Sequence, residues 1–186
     1  MSEVLFLLSS AKERMLTNGE PQTALPPGLQ KWSPSGFELR PVGLPRFPFA
    51  VWGLFTTLRI FRNPDYSIYL YRNGASVVHR SCVFPPYFRF PFMNSTDLQI
   101  GDIWTAEAWR GKGLALTTLS TILRAFPDRN IWFLCEAGNQ ASVALAKRAG
   151  MKVIGSGFRK PRFGVSFLGH FQINPDAAQL AAPVKR

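Results

Sequence analysis

The chain has 186 residues, 46% of them hydrophobic, and 22 lysines and arginines face 11 acidic residues, a formal net charge of +11. That length suits one domain with a sizeable core, and the composition excludes a disordered chain. The charge attracts anions such as nucleotides, acidic lipids or nucleic acid, without choosing among them.

In chain order, residues 2–17 carry Val4, Leu7, Leu8, Ala11 and Met15 at near-helical spacing and are expected to form a helix. Glu3 and the short apolar run Val4–Leu8 do not suit a signal peptide. "TNGEPQTALPPGLQKWSPSG" reads as a linker and "FELRPVG" as a short strand. "FAVWGLFTTLRIF" is apolar nearly all round, which predicts a buried helix or a pair of turns ending near Asn63-Pro64. The longer stretch from Phe47 to Phe61 carries Arg59 and is too short to span a bilayer, so a cytoplasmic protein is expected.

"DYSIYLYRNGASVVHRSCVF" is two β-prone runs joined at Asn73-Gly74, the dipeptide of a type I′ hairpin turn. The aromatic loop "PPYFRFPFMNSTD" leads to a strand, "LQIGDIWT". A glycine turn then opens the helix "GLALTTLSTILRAF", with Ala115, Leu119, Ile122 and Phe126 on one stripe. "NIWFLCEA" reads as a buried strand, and Asn139 caps a helix that stops at Gly150. "KVIGSGF" and "VSFLGHFQI" are the last strands. Cys82 and Cys135 fall in apolar runs and read as free thiols; their spacing does not suit zinc, and no metal is expected. The order predicts an α/β fold, a mixed sheet with helices on both faces. Its expected organisation is an N-terminal helix and linker (1–36), one domain (37–174) and a flexible basic tail (175–186).

"WRGKGLALTTL" places glycines and cations at a helix start. It fails the Walker spacing, because no earlier glycine precedes Gly111-Lys112 at the required distance. It also fails the dinucleotide fingerprint, whose third glycine position holds Leu116. What fits is R-x-x-G-x-[GA], met by Arg110, Gly113 and Ala115. Backbone N–H groups at a helix N-terminus form an anion nest, and small residues let a pyrophosphate approach.

This loop resembles the acetyl-CoA loop of the GCN5-related N-acetyltransferase (GNAT) superfamily. The partner motif "NQASVALAKRAGMKVIGSGFR" follows in order, with Asn139 at the family's asparagine and Gly150-Met151 in place of its Gly-Phe; the likeness covers residues 98–158, about a third of the chain. The resemblance implies a mostly antiparallel twisted sheet with a central parallel pair. It implies acetyl-CoA as co-substrate and a primary amine as acceptor. It further implies that Trp104 and Thr105 meet the pantetheine arm and acyl carbonyl, and that Arg110, Gly111, Lys112, Gly113, Leu114, Ala115 and Asn139 line the cofactor site. Lys112 reads equally as a solvated cation.

Where the family often has an acidic tyrosine, the chain has Ala146. His79 and Asp102 are the candidate catalytic residues. His79 suits proton transfer near neutral pH and equally suits a hydrogen-bonded strand histidine. Asp102, inside an apolar strand, is either the anchor of a cation or the base that deprotonates the amine. Gly101 marks a close approach by a ligand or another backbone. Tyr87 and Arg89, in the aromatic loop, are candidates for the acceptor; alternatively that loop folds on its own small core.

The run from His79 to Leu114 also resembles acetyltransferases of bacterial surface-polysaccharide synthesis, which would imply an amino sugar as acceptor. A non-catalytic acyl-CoA-binding module is the alternative. Nucleic-acid binding rests on charge alone, with no recognition motif, and is not expected. A homodimer stays open.

Overall fold

The computed structural model describes residues 3–17, 24–35, 38–162 and 165–174. Eight strands form one sheet: β1 (Val4–Ser9), β2 (Leu29–Trp32), β3 (Ser67–Asn73), β4 (Ser76–Phe84), β5 (Leu98–Thr105), β6 (Ile131–Glu136), β7 (Lys152–Arg162) and β8 (Val165–Ile173). The helices are α1 (Ala11–Thr17), α2 (Arg46–Thr57), α3 (Leu114–Ala125) and α4 (Gln140–Arg148). The strand order is β2-β3-β4-β5-β6-β1-β7-β8, antiparallel throughout except for the central β5–β6 pair. One core layer holds α2 and the aromatic loop against a face of the sheet; the other holds α3 and α4 against the opposite face.

The N-terminal segment departs from expectation. Val4–Ser9 is a strand, and only Ala11–Thr17 is helical. β1 lies between β6 and β7, antiparallel to both, with Phe6 in one core layer and Leu7 in the other. A strand buried on both faces reads as a continuous apolar run, which periodicity does not separate from a buried helix. Arg14, on α1, closes this corner with hydrogen bonds to the Ser9 carbonyl and hydroxyl and to the carbonyls of Phe126 and Arg129. Part of the expected linker, Leu29–Trp32, is the edge strand β2. "FELRPVG" does not form a strand: among its described residues Glu38 makes an isolated bridge with Ser35. The expected tail 175–186 lies outside the described residues.

The β3–β4 hairpin is present, but its turn is Gly74-Ala75, one residue beyond the expected dipeptide. Asn73 pairs with Ser76, and Gly74 carries φ +57°. A positive φ at the first turn position is the type II′ arrangement. α2 is only half-buried: Phe49 and Gly53 face the core, whereas Leu54 is exposed. A Cβ at Gly53 would stand 2.1 Å from the Leu39 carbonyl oxygen, so glycine lets the helix seat against that segment.

The feature that creates a site is the parting of β5 from β6. Their pairing runs from Leu98–Ile131 to Ile100–Phe133 and stops. Beyond that point β6 stays with β1 through Glu136, while β5 continues with β4 to Thr105. Cys82 pairs with Gly101 and Arg80 with Trp104, so Asp102 and Ile103 together oppose Ser81. Such a bulge bends its strand and raises local twist. Asp102, inside the bulge, takes a left-handed φ of +46°.

Candidate functional site

Beyond the parting strands lies a cleft of about 570 Å³. One wall is the end of β5, Ile103 to Thr105. The floor is the turn Trp109–Gly113 with the first turn of α3. The far wall is the N-terminal part of α4 with Leu145 and Arg148. Eight of the nine residues expected at the cofactor site line it: Trp104, Thr105, Arg110, Gly111, Gly113, Leu114, Ala115 and Asn139. Lys112 is not among the lining residues; its ammonium sits 4.3 Å from the centroid of the Trp109 ring, a cation–π contact.

The turn owes its shape to two left-handed glycines, Gly111 at φ +74° and Gly113 at φ +78°. A Cβ at either would meet nothing within 4 Å. The protein therefore leaves open space in front of this backbone, and the requirement for glycine is conformational. Gly113 is the N-cap of α3, with no side-chain cap and no acidic residue in the first turn. The first N–H groups of a helix have no intrahelical partner and carry the positive end of its dipole. No carboxylate lines the cleft, while Arg110 and Arg148 do. The Arg110 Nε donates to the Thr105 carbonyl at 3.3 Å, tying the turn to the end of β5. Its cationic and apolar lining favours an anion with apolar parts.

Asn139 lines the cleft and also caps α4: its Oδ1 accepts from the Ser142 N–H at 3.1 Å. Arg148 was not singled out from the sequence. Ala141, Leu145 and Arg148 stand at i, i+4 and i+7, the spacing of one helix face, and that spacing was the available signal. Ala146, at the position of the family's tyrosine, is fully buried in the core layer beneath α4 and does not line the cleft.

The two catalytic candidates stand apart from the lining residues. His79 is fully buried. Its Nδ1 lies 2.8 Å from the Thr105 hydroxyl and its Nε2 3.1 Å from the Ser81 hydroxyl. Burial, reinforced by the positive charge of Arg80, pushes the imidazole down to about 4. The ring is therefore neutral at physiological pH and occupied at both nitrogens. It bears on the cleft through Thr105, which is both its partner and a lining residue.

Asp102 meets Arg80 in a two-point ion pair, Nε–Oδ2 at 2.8 Å and Nη2–Oδ1 at 3.1 Å. The Arg80 guanidinium also packs on the rings of Phe49 and Trp104, 5.4 and 5.1 Å from their centroids. The close neighbour of Gly101 is the chain's own Gln99, whose Nε2 would stand 2.7 Å from an added Cβ.

Tyr87 lies in the aromatic core of its loop, in edge-to-face contact with Phe55, Phe61, Phe88 and Phe90. Arg89 packs on the Tyr87 ring at 5.8 Å, and its carbonyl accepts from Phe171 N–H on β8. Asp97 pins the end of this loop to β6 by accepting from Trp132 Nε1 at 2.9 Å and from the Asn94 N–H at 3.0 Å. Neither Tyr87 nor Arg89 lines the cleft.

Comparison with known proteins adds three findings. Residues 38–151, more than half of the chain, match the model of the acetyltransferase (GNAT) family. No curated protein matches the sequence. Among solved structures, the fold is similar to a GCN5-related N-acetyltransferase from Sphaerobacter thermophilus, with a TM-score of 0.53 and 18% identity over 83% of this chain and 49% of that one. It is also similar to an acetyltransferase of the GNAT family from Colwellia psychrerythraea, with a TM-score of 0.50 and 14% identity over 82% of this chain and 53% of that one. At these identities the likeness is one of fold, and the chain spans about half the length of each structure.

Proposed function

The chain belongs to the acetyltransferase (GNAT) family, and from that premise we propose that its cleft holds acetyl-CoA and that the protein passes the acetyl group to a primary amine. The observation that carries this reading is the turn Arg110–Ala115. Two left-handed glycines face open space at the uncapped N-terminus of α3, in a cleft with two arginines and no carboxylate. That arrangement fits a pyrophosphate carried on an apolar arm. Acetyl-CoA supplies an activated acyl group as a thioester.

In this proposal the N–H groups from Gly111 to Ala115 bind the phosphates, and Arg110 and Arg148 neutralise their charge. The end of β5, Trp104-Thr105, is paired with β4 but lacks a partner on its β6 side; there it offers backbone N–H to the acyl carbonyl, where negative charge develops during attack. His79 orients the Thr105 hydroxyl. Asp102, held by Arg80 behind Trp104, is the carboxylate that favours positive charge on the attacking nitrogen. With both oxygens engaged by Arg80, it works as a fixed charge. As the C–N bond forms the thioester C–S bond breaks; the nitrogen gives up its proton to water, and coenzyme A leaves as a thiolate that takes a proton from water. We place the acceptor on the Arg80–Asp102 side of Trp104. An amino sugar is the first acceptor class to test, on the sequence resemblance to enzymes of surface-polysaccharide synthesis.

A second reading, acyl-CoA binding without transfer, draws on a specific observation: no histidine, carboxylate, tyrosine or cysteine lines the cleft. Thiol release from acetyl-CoA, followed over a panel of amino sugars and simple amines, separates the two. Acceptor-dependent release supports transfer. Acetyl-CoA binding with no release on any acceptor supports the module.

A further inference from the structure

Helix α2 is apolar on the side that faces away from the core. Phe49 and Gly53 point inward, with Trp52 and Phe55 leaning on the same layer. On the opposite side Leu54 is 42% exposed and Leu58, one turn on, 60% exposed. Phe47, at the start of the helix, is 66% exposed, Val42 before it 82% and Ile60 after it 37%. Five large exposed apolar side chains between residues 42 and 60 exceed the single, scattered exposure normal for a surface. A helix apolar all round is ordinarily buried on all sides, and this one is covered on one.

Charge indicates what covers the other. From residue 39 to residue 64 there are four arginines, Arg40, Arg46, Arg59 and Arg62, and no acidic residue. None of the four makes an ion pair among the described residues; Arg40 and Arg62 donate to the carbonyls of Leu44 and Met93. Cations beside an apolar helical stripe match an interface whose interior is hydrocarbon and whose rim is phosphate. A second copy of the chain is a poor match, because a two-fold contact through this face would set arginines against arginines. The net charge of +11 adds long-range attraction of the same sign.

We propose that the outer face of α2, with Phe47, Leu54, Leu58 and Ile60 flanked by Arg46 and Arg59, docks on an anionic phospholipid surface. The face connects to the cleft: Phe49, on the inner side of the helix, packs on Arg80, which packs on the lining residue Trp104. Docking would therefore set the Arg80–Asp102 pair behind the helix that meets the bilayer. The inference does not depend on the proposed acetyl transfer.

The test is co-sedimentation of the full chain with vesicles of phosphatidylcholine alone and of a two-to-one mixture of phosphatidylcholine and phosphatidylglycerol. The variants are Leu54→Glu with Leu58→Glu, and Lys147→Glu as a control with the same total charge change on exposed α4. Wild type and Lys147→Glu are expected to bind the anionic vesicles, less at high salt. The double variant, with its fold verified by circular dichroism, is expected to bind roughly tenfold or more weakly. Should it unfold, Arg46→Ser with Arg59→Ser carries the test, with a loss of roughly tenfold or more. Three results overturn the proposal: no binding of wild type to anionic vesicles at low salt, equal binding by the face variants, or a wild-type oligomer that the face variants dissociate.

Discussion

Arg80 and Asp102 face each other across the β4–β5 bulge in a two-point ion pair, at 2.8 and 3.1 Å, with the guanidinium packed between Phe49 and Trp104. Asp102 is one of two non-glycine residues of left-handed φ among the described residues, the other being Arg59. The bulge lies just beyond the last β5–β6 pair, where the cleft begins. Fold and site thus meet at this pair.

Asp102→Asn keeps the side-chain shape and removes the charge. Both partners are partly exposed, so the stability loss is expected to be on the order of 1 kcal/mol. Transfer to the amine is expected to fall about a hundredfold with acetyl-CoA affinity unchanged. Urea unfolding, turnover and calorimetric affinity measured on one preparation check all three. A variant with wild-type turnover would remove Asp102 from the reaction.

His79 makes stability depend on pH in a defined window. Its imidazole falls from 6.5 in the unfolded chain to about 4 when folded, through burial first and Arg80 second. Between those values the unfolded chain binds a proton that the folded chain does not, so this contribution to stability rises with pH across the window. It is complete above 6.5 and is lost as pH falls toward 4, amounting to roughly 3 kcal/mol. Urea unfolding from pH 4 to 7 should show this slope. His79→Gln, which does not titrate there, should show it reduced by that amount.

Much of the site could be read in the sequence because its signals are local. Glycines at a helix start and an asparagine three residues before the N–H it caps are short patterns with fixed backbone meaning. β1 was not legible, because its run of large apolar residues is buried on both faces and its strand identity comes from β6 and β7, far along the chain. β2 was hidden by the prolines and glycines around it and is placed by its pairing with β3. The exposure of Leu54 and Leu58 could not be read from apolar content, which says what a helix can bury and not how many sides are covered. The roles of His79 and Asp102 depended on hydrogen-bond partners whose registers a bulge sets.

Arg148, at the end of α4, brings a second guanidinium to the cleft. Arg148→Ala is expected to weaken acetyl-CoA binding by roughly tenfold or more, with little change in turnover at saturation. The loss should shrink as salt rises, since part of the contact is screened. A change in turnover at saturation with affinity intact would move Arg148 from binding to the chemistry.

Gly113 tests whether the turn before α3 holds the phosphates of acetyl-CoA. Its left-handed φ means that any other residue costs about 1–2 kcal/mol in the fold, and its missing Cβ opens onto the space where phosphate is proposed to sit. The most direct measurement is calorimetric titration of acetyl-CoA into the wild-type chain and into Gly113→Glu, with the variant's fold verified by circular dichroism. Saturable one-site binding by the wild type and none by the folded variant is the expected result. Absence of binding by the wild type, or the same affinity in both, would contradict it.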